Sequence, residues 1–294
     1  MYTVGVIGIG NIAALYGKPE DKTPYCHVGG IRHSDRVELV GITDFTEDRR
    51  ERFRTEWGEC FPAVQYHDSS TAMLAARHFD IVAICNRGPD HFKTVLEVLA
   101  AEPKAIFLEK PPSCSLTEMD EMCTLAKAKG IPITVSYTRH WCPHVLRLQE
   151  LVQDGLIGDV RTVVAYTGGT FLSFALHVTD LICQFAGYCP TAITAAGTLG
   201  TDAPAGYEPE PTLTRAVIEF ENGVVGLHVG QQSDNGGFYV DVFGSKGRVR
   251  AGIYTPPFIA DKDNKPVPLD DLGFPPAASP FKMAYDQIAA HLDG

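Results

Sequence analysis

Three features of this 294-residue chain have residue types and spacing that can do chemistry. The first is the run Gly8-Ile9-Gly10-Asn11-Ile12-Ala13, which follows an apolar stretch and opens a predicted helix. In such a loop the first glycine makes the tight turn, the second lets the backbone approach a pyrophosphate, and a third small residue allows close packing. Free N–H groups at the start of the helix then favour phosphate. We predict that Gly8, Gly10, Asn11 and Ile12 bind a dinucleotide; a tight turn without a ligand is the alternative.

Asp44 is the second feature, because it closes the second predicted strand. A carboxylate there hydrogen-bonds the ribose hydroxyls of NAD and repels the 2′-phosphate of NADP. We therefore expect NAD, with NADP less favoured, although Arg49 and Arg50 lie nearby. The spacing from Ala13 exceeds the usual ~20 residues. We interpret the excess, at 16–24, as an inserted loop, and a turn or capping role for Asp44 is the alternative.

Lys110 is the third feature, since Glu109-Lys110-Pro111-Pro112 directly follows an apolar strand. Ligands bind at the carboxyl ends of such strands, and a lysine there can donate a hydrogen bond or a proton to a substrate oxygen. Asn86 and His91 flank the loop after the preceding strand. We expect them to line the cofactor together with Glu109 and Lys110. A surface lysine before a Pro-Pro turn is the alternative.

The elements that must position these residues alternate along the first part of the chain. Apolar strands are predicted at 4–7, 37–42, 81–85, 105–108 and 131–135, and helices at 27–33, 47–57, 70–77, 91–100 and 116–129. Strands that are apolar throughout and separated by amphipathic helices predict a parallel, doubly wound α/β sheet covered on both faces. We assign residues 1–136 to this dinucleotide-binding domain.

The pattern changes after residue 136. Helices are predicted at 144–154, 174–185 and 283–292, strands at 160–166, 192–196, 215–220, 224–229 and 239–243, and Pro-rich loops at 201–211 and 256–280. Strands joined by short turns such as Glu221-Asn222-Gly223 predict antiparallel pairing. We therefore predict that residues 137–294 form an α+β domain on an open, mainly antiparallel sheet.

Composition excludes several kinds of partner. The net charge of −11 argues against nucleic acid or an anionic membrane as the main partner, and no apolar run reaches membrane-spanning length. Met1 leads into a predicted strand without the pattern of a signal peptide. The eight cysteines contain no Cys-x-x-Cys pair. We expect reduced cysteines in a cytoplasmic protein.

Together these motifs resemble the Gfo/Idh/MocA family of nicotinamide-dependent oxidoreductases. The resemblance covers about residues 3 to 250 and rests on the glycine loop, Asp44, Pro89-Asp90-His91, Glu109-Lys110-Pro111, the run 136–141 with its following helix, the turn 154–158 and the turn 243–247. It implies a Rossmann domain that carries NAD(P) and a C-terminal sheet that forms a homo-oligomer, a dimer or a tetramer. It also implies that Lys110 is the catalytic lysine.

The family usually carries Gly-x-x-x-Asp-x-x-x-His at the start of a second-domain helix, which falls here on 169–177. The resemblance makes His177 the general acid/base, while Ser173 replaces the aspartate. A hydroxyl cannot stabilise an imidazolium as a carboxylate does, so we expect a lower pKa for His177 than in relatives with the aspartate. Ser173, Arg139 and Tyr137 are expected to shape the substrate pocket. The position of Asp180 fits a role in the site and a purely structural role equally well.

The resemblance implies hydride transfer to or from a carbinol carbon of a sugar, cyclitol or related polyol. One alternative is glycoside cleavage with transient oxidation by tightly held NAD. Another is a non-catalytic, NAD-binding regulatory protein, which the missing aspartate motivates and the presence of both Lys110 and His177 opposes. His140 and His144 have metal-ligand spacing but no third ligand nearby, so no metal is expected.

Overall fold

The computed structural model describes residues 1–168, 170–200, 209–231 and 238–294. They form two compact units, one of Met1–Thr138 with Ala278–Gly294 and one of Arg139–Ala277. The first unit therefore ends two residues beyond the predicted boundary at 136. The predicted second domain, 137–294, extends too far, because the C-terminal segment returns to the first unit.

The first unit is built on a six-stranded sheet in which all neighbouring strands are parallel. Its strands, in the order β3-β2-β1-β4-β5-β6, are β1 Tyr2–Ile7, β2 Val37–Thr43, β3 Gln65–His67, β4 Ile81–Ile84, β5 Ala105–Leu108 and β6 Ile133–Val135. The helices between them are α1 His27–His33, α2 Glu47–Trp57, α3 Ser70–Ala76, α4 His91–Ala100 and α5 Leu116–Lys129. This is the doubly wound fold that the apolar strands predicted.

Strand β3 is absent from the sequence prediction. Its three residues, Gln65-Tyr66-His67, lie at the edge of the sheet, and none of them is fully buried. By contrast, every residue of β4 and β5 is buried between helices on both faces. A short edge strand needs no apolar run, so hydropathy does not reveal it.

The second unit is built on a seven-stranded sheet of order β13-β12-β11-β7-β10-β9-β8. Its elements are α6 Pro143–Gln153, β7 Val160–Gly168, α7 Leu176–Ala186, β8 Pro190–Thr198, β9 Thr212–Phe220, β10 Val225–Gln231, β11 Tyr239–Gly244, β12 Gly247–Ala251 and β13 Phe258–Asp261. Among these described strands, β7 and β10 pair in parallel and the other neighbours pair antiparallel. The open, mainly antiparallel sheet is thereby confirmed.

One face of this sheet is packed and the other is open. Val178, Leu181 and Ile182 of α7 are buried in the core against the inner face. The outward side chains Val217 of β9, Val229 of β10 and Phe243 of β11 are 38%, 38% and 37% exposed. The Pro-rich stretch 256–280, predicted as loop, contains strand β13, which a hydropathy pattern of only four residues did not indicate.

The last helix, α8 Pro280–Asp293, packs on α1 of the first unit. A Cβ on Gly30 of α1 would lie 2.6 Å from the Cβ of Phe281, so only glycine permits this close approach. Ser34, which follows α1, donates a hydrogen bond to Asp286 of α8. Sequence order alone placed α8 with the second domain, whereas these contacts place it with the first.

All eight cysteines are free thiols. In the described ranges, no helix combines the length and the apolar character that crossing a membrane requires.

His228 is a buried histidine in the second unit. It lies on β10 between Ala165 of β7 and Ala216 of β9, and it is 1% exposed. Neither ring nitrogen has a hydrogen-bond partner among the described residues. Burial lowers the pKa of His228 to about 4, because water does not reach the charged ring. The ring is therefore neutral in the folded protein at pH 7.

We predict that His228→Leu makes the protein more resistant to acid. The unfolded chain binds a proton at His228 below its ordinary pKa of 6.5, but the folded chain binds it only near pH 4. The stability of the wild type therefore falls relative to the variant as the pH drops from 6.5 to 4, by about 3 kcal/mol. Urea unfolding at several pH values measures this difference, and a constant difference across that range would contradict the prediction.

Candidate active site

The two glycines of the loop after β1 have different tasks. Gly8 has a φ of +86°, and a Cβ there would lie 2.8 Å from the backbone nitrogen of Asn86. Only glycine therefore fits at this turn. No atom of the described residues lies within 4 Å of the position that a Cβ on Gly10 would take. The backbone at Gly10 is thus open to close approach, which fits a bound pyrophosphate.

The helix that follows this loop is only one turn long. In Asn11–Leu15, the N–H of Leu15 donates to the carbonyl of Gly10 at 3.3 Å, and α1 begins only at His27. Gly17 and Pro19 in the intervening segment disfavour a continuous helix. Asn11 and Ile12 lie in the first turn, where N–H groups have no intrahelical acceptor. They can bind phosphate through these N–H groups, without the dipole of a long helix.

Asp44 ties the glycine loop to the end of β2. The N–H of Ile9 donates to its Oδ2 at 2.9 Å, and the N–H of Thr46 donates to its Oδ1 at 2.9 Å. The guanidinium of Arg49 lies 3.4 Å from Oδ2, and Arg50 donates to the backbone carbonyl of Asp44. Oδ2 thus has two donors, whereas Oδ1 can still accept a further hydrogen bond. Asp44 is therefore held beside the glycine loop, and its capacity to accept from a ribose hydroxyl lies at Oδ1.

Asn86 and His91 brace the loops that follow β4 and β5. His91 is buried, with Nδ1 2.6 Å from the carbonyl of Pro111 and Nε2 3.0 Å from the carbonyl of Asn86. Burial lowers the pKa of His91, so the neutral ring donates from one of these nitrogens only. Asn86 donates to Thr94, and its side-chain carbonyl is buried without a partner among the described residues. That unpartnered oxygen, beside Gly8, can accept a hydrogen bond from a dinucleotide.

Lys110 follows β5 on a backbone held by a buried hydrogen-bond chain. Nε2 of His27 lies 3.0 Å from Oε1 of Glu109, and Nδ1 of His27 lies 2.9 Å from the hydroxyl of Tyr285. Because a carboxylate only accepts, His27 donates to Glu109 and in turn accepts from Tyr285. The N–H of Lys110 donates to the other oxygen of Glu109 at 3.2 Å. Glu109, predicted to line the cofactor, thus directs its carboxylate at His27 in the interior.

Glu109 is ionised although it is 4% exposed. Burial raises the pKa of Glu109, but the interactions with His27, Ser136 and Lys110 together lower it by more. The sequence interpretation missed His27 and Tyr285, which are 258 residues apart. A histidine within a predicted helix and a tyrosine in the last helix carry no local signal that links them to Lys110.

In the second unit, Arg139 and His177 both contact the ring of Phe238. The guanidinium carbon of Arg139 is 4.5 Å from the ring centroid, and the ring of His177 meets Phe238 edge to face at 6.1 Å. Arg139 is 2% exposed. The structure therefore brings together two of the predicted site residues around an aromatic ring. Tyr137, predicted to join them, is half-buried and belongs to the first unit.

Ser173, His177 and Asp180 are spaced by four and three residues along α7 and the turn Phe171–Ala175 before it. Ser173 donates hydrogen bonds to Glu210, which the sequence interpretation did not single out. Asp180 lies 2.7 Å from Nε2 of His140, so it forms an ion pair when that ring is protonated. Gly169, the first residue of the predicted motif, lies outside the described residues.

His140 and His144 have different partners. His140 meets Asp180, whereas Nε2 of His144 lies 2.8 Å from the carbonyl of Gly252 and its Nδ1 lies 3.2 Å from the thiol of Cys142. Over the part of the chain that the structure describes, no three histidine, cysteine or carboxylate side chains are grouped to hold a metal ion.

Comparison with known proteins agrees with this geometry. The model of the oxidoreductase family with an NAD-binding Rossmann fold, GFO_IDH_MocA, matches residues 2–137. The chain is 24% identical over 264 residues to myo-inositol 2-dehydrogenase from Thermotoga maritima, covering 84% of this chain and 74% of that protein. It is 23% identical over 251 residues to D-glucoside 3-dehydrogenase from Escherichia coli, and this match covers 75% of this chain and 67% of that protein.

A solved structure with a similar fold is the WlbA dehydrogenase from Bordetella pertussis in complex with NADH and UDP-GlcNAcA. Its TM-score is 0.75 at 21% identity, and the match covers 99% of this chain and 87% of that one. The family model and these relatives identify an NAD-binding oxidoreductase with a Rossmann fold. Residues 2–137 match the model of the Gfo/Idh/MocA family, which confirms the resemblance seen in the motifs of the first unit.

We predict that Asp44→Asn weakens the preference for NADH over NADPH. The substitution removes the negative charge that repels a 2′-phosphate and leaves Arg49 and Arg50 in place. The ratio of the two dissociation constants should change by about tenfold or more, which corresponds to ~1.4 kcal/mol. Fluorescence titration with each reduced cofactor measures this ratio without any substrate. Asp48→Asn, at an exposed position of α2, is the matched control and should leave the ratio unchanged.

We predict that Tyr285→Phe destabilises the first unit. The substitution removes only the hydroxyl that donates to the buried Nδ1 of His27. An unsatisfied buried polar group costs about 1–3 kcal/mol, so the free energy of unfolding in urea should fall by that amount. Tyr16→Phe removes an exposed hydroxyl and should change it by less than ~0.5 kcal/mol. Equal effects of the two substitutions would show that the hydrogen-bond chain contributes nothing.

Proposed function

We propose that this protein transfers a hydride between NAD and a carbinol carbon of a sugar, cyclitol or related polyol. The observation that carries the proposal is the position of Lys110. It follows β5 at the carboxyl edge of the parallel sheet, and the glycine loop follows β1 at the same edge. A dinucleotide bound on that loop supplies the hydride acceptor or donor.

Lys110 polarises the substrate oxygen in this proposal. Its ammonium group donates a hydrogen bond to the hydroxyl or carbonyl oxygen at the reacting carbon. Two buried histidines hold its backbone, since His27 binds Glu109 on one side and His91 contacts the carbonyl of Pro111 on the other. Such support is what keeps a reacting group in a productive position.

His177 is the general acid/base in this proposal. A neutral imidazole nitrogen can take the proton from the substrate hydroxyl during oxidation and return it during reduction. Arg139, on the same ring of Phe238, contributes the donors of its guanidinium to the oxygens of a polyol. Ser173 contributes an acceptor near the start of α7.

The relatives support a polyhydroxyl substrate. The names of two of them state oxidation of myo-inositol and of a D-glucoside. Both are ring compounds with several carbinol carbons, so the two names do not identify which ring compound this protein uses. Relatives as distant as these, below 25% identity, support the class of substrate and no single compound.

The two other hypotheses differ from this one in a measurable quantity. Glycoside cleavage with transient oxidation releases product without net formation of NADH. A regulatory protein binds NAD and turns over no compound. The buried support of Lys110 by His27 and Tyr285 favours catalysis, since dinucleotide binding alone does not require a fixed lysine at this edge.

We further propose a homo-oligomer formed through the outer face of the seven-stranded sheet. Val217, Val229 and Phe243 expose apolar surface on that face, where a second copy can cover it. We also propose a cytoplasmic location, because eight free thiols suit a reducing compartment.

The test is NADH formation by wild type and Lys110→Ala on a panel of neutral sugars and cyclitols. Loss of a group that hydrogen-bonds or protonates the reacting oxygen lowers kcat by about 10²–10⁴-fold. Lys127→Ala, at an exposed position of α5, is the matched control and should retain wild-type turnover. Equal turnover by wild type and Lys110→Ala would remove Lys110 from the reaction. An absence of turnover across the panel would refute the proposed substrate class.

A further inference from the structure

The turn that precedes α7 is bound to the segment that precedes β9. The N–H of Ser173 donates to Oε2 of Glu210 at 2.8 Å, and its hydroxyl donates to Oε1 at 2.6 Å. The N–H of Phe171 donates to the carbonyl of Pro211 at 2.7 Å. Two hydrogen bonds therefore hold Glu210 against this turn, and a third holds the adjacent Pro211. Both Ser173 and Glu210 remain partly exposed, so a ligand can reach them.

These hydrogen bonds determine which ligand groups the side chains of Ser173 and Glu210 can bind. The only hydroxyl hydrogen of Ser173 is donated to Glu210, so the oxygen of Ser173 can only accept. The carboxylate also only accepts, and each of its oxygens has room for a further hydrogen bond. The side chains of Ser173 and Glu210 together form a surface that binds donors such as hydroxyl groups.

The charge at this surface is negative. Within the ranges that the structure describes, the hydrogen bonds that Glu210 accepts come from neutral groups, the N–H and the hydroxyl of Ser173, and these leave its charge in place. Asp180, farther along α7, is different because it lies beside His140, which can carry a balancing charge. A ligand that reaches Ser173 therefore meets a carboxylate as well as a hydroxyl oxygen.

This acceptor surface lies close in sequence to His177, the proposed acid/base. Ser173 lies four residues before His177, in the turn from which α7 continues. His177 contacts Phe238, and Phe238 also contacts Arg139. The second unit thus presents an acid/base, a guanidinium and this acceptor surface from one helix and its neighbours.

We propose that Glu210, held by Ser173, is a specificity-determining residue that selects neutral polyhydroxyl substrates over those with a carboxylate or phosphate at the same end. The inference rests on the proposed function and narrows its substrate class. Two substrate hydroxyls donate to Glu210 and to the oxygen of Ser173. An anionic group lacks these donors and is repelled by the carboxylate.

The experiment compares neutral sugars with the uronic acids of the same ring, glucose with glucuronate and galactose with galacturonate. The measured quantity is the ratio of kcat/KM for the neutral sugar to that for the acid. The wild type should favour the neutral sugar by at least about tenfold, the effect of one hydrogen bond to a charged group. In Glu210→Gln this ratio should be about 10- to 100-fold lower, mainly because KM for the neutral sugar rises.

Two further variants separate charge from structure. Ser173→Ala keeps the carboxylate, so it should lower kcat/KM for the neutral sugar and still reject the acid, and it serves as the test if Glu210→Gln does not fold. Glu221→Gln removes a carboxylate from the exposed turn between β9 and β10, and it should leave both values unchanged.

The outcomes distinguish this inference from the proposed function. Turnover of neutral sugars with the same ratio in wild type and Glu210→Gln would overturn the role of Glu210 and leave the proposed function standing. Wild-type turnover of the acids as fast as the neutral sugars would do the same. An absence of wild-type turnover on every sugar would overturn the proposed function, and the inference with it.

Discussion

The buried hydrogen bond from His27 to Glu109 is the interaction on which the first unit depends. A carboxylate taken out of water costs several kcal/mol unless polar partners surround it, and Glu109 has Nε2 of His27 at 3.0 Å. His27 lies on α1, Glu109 follows β5 and Tyr285 lies on α8. One hydrogen-bond chain therefore joins three distant parts of the sequence. Because Lys110 is the next residue, the contacts that permit this burial also fix where the lysine leaves the sheet.

In the second unit, the polar side chains of the candidate site also have polar partners, although these side chains are less buried. The segment that carries Ser173 and Asp180 receives its polar partners from other elements, Glu210 before β9 and His140 before α6. The helix sets the spacing of its side chains, while the neighbouring segments set their charge and hydrogen bonding. Replacing one loop residue can therefore change the charge beside the helix without disturbing the helix, because loops tolerate change better than packed elements.

Local motifs were predictable because their physical requirements are local. The turn at Gly8 needs a positive φ and the backbone at Gly10 needs open space, and both follow from neighbouring residues. The strands β4 and β5 were visible because every residue is buried on both faces. Strands β3 and β13 escaped notice for different reasons. Strand β3 carries no apolar run, and the apolar run of β13 is only three residues long within a Pro-rich stretch. The inserted loop at 16–24, which ends the helix after Gly10, was also predictable, because Gly17 and Pro19 disfavour a continuous helix.

By itself the sequence determined the parallel first sheet, the mainly antiparallel second sheet, the glycine loop and the lysine at the end of β5. Each is recorded in adjacent residues or in a repeating hydropathy pattern. Only the tertiary structure decided that α8 returns to the first unit, that Tyr285 supports Lys110 through His27, and that Glu210 meets Ser173. Those pairs lie 258 and 37 residues apart. No local pattern relates such residues, because they meet only when the burial of other side chains brings their elements together.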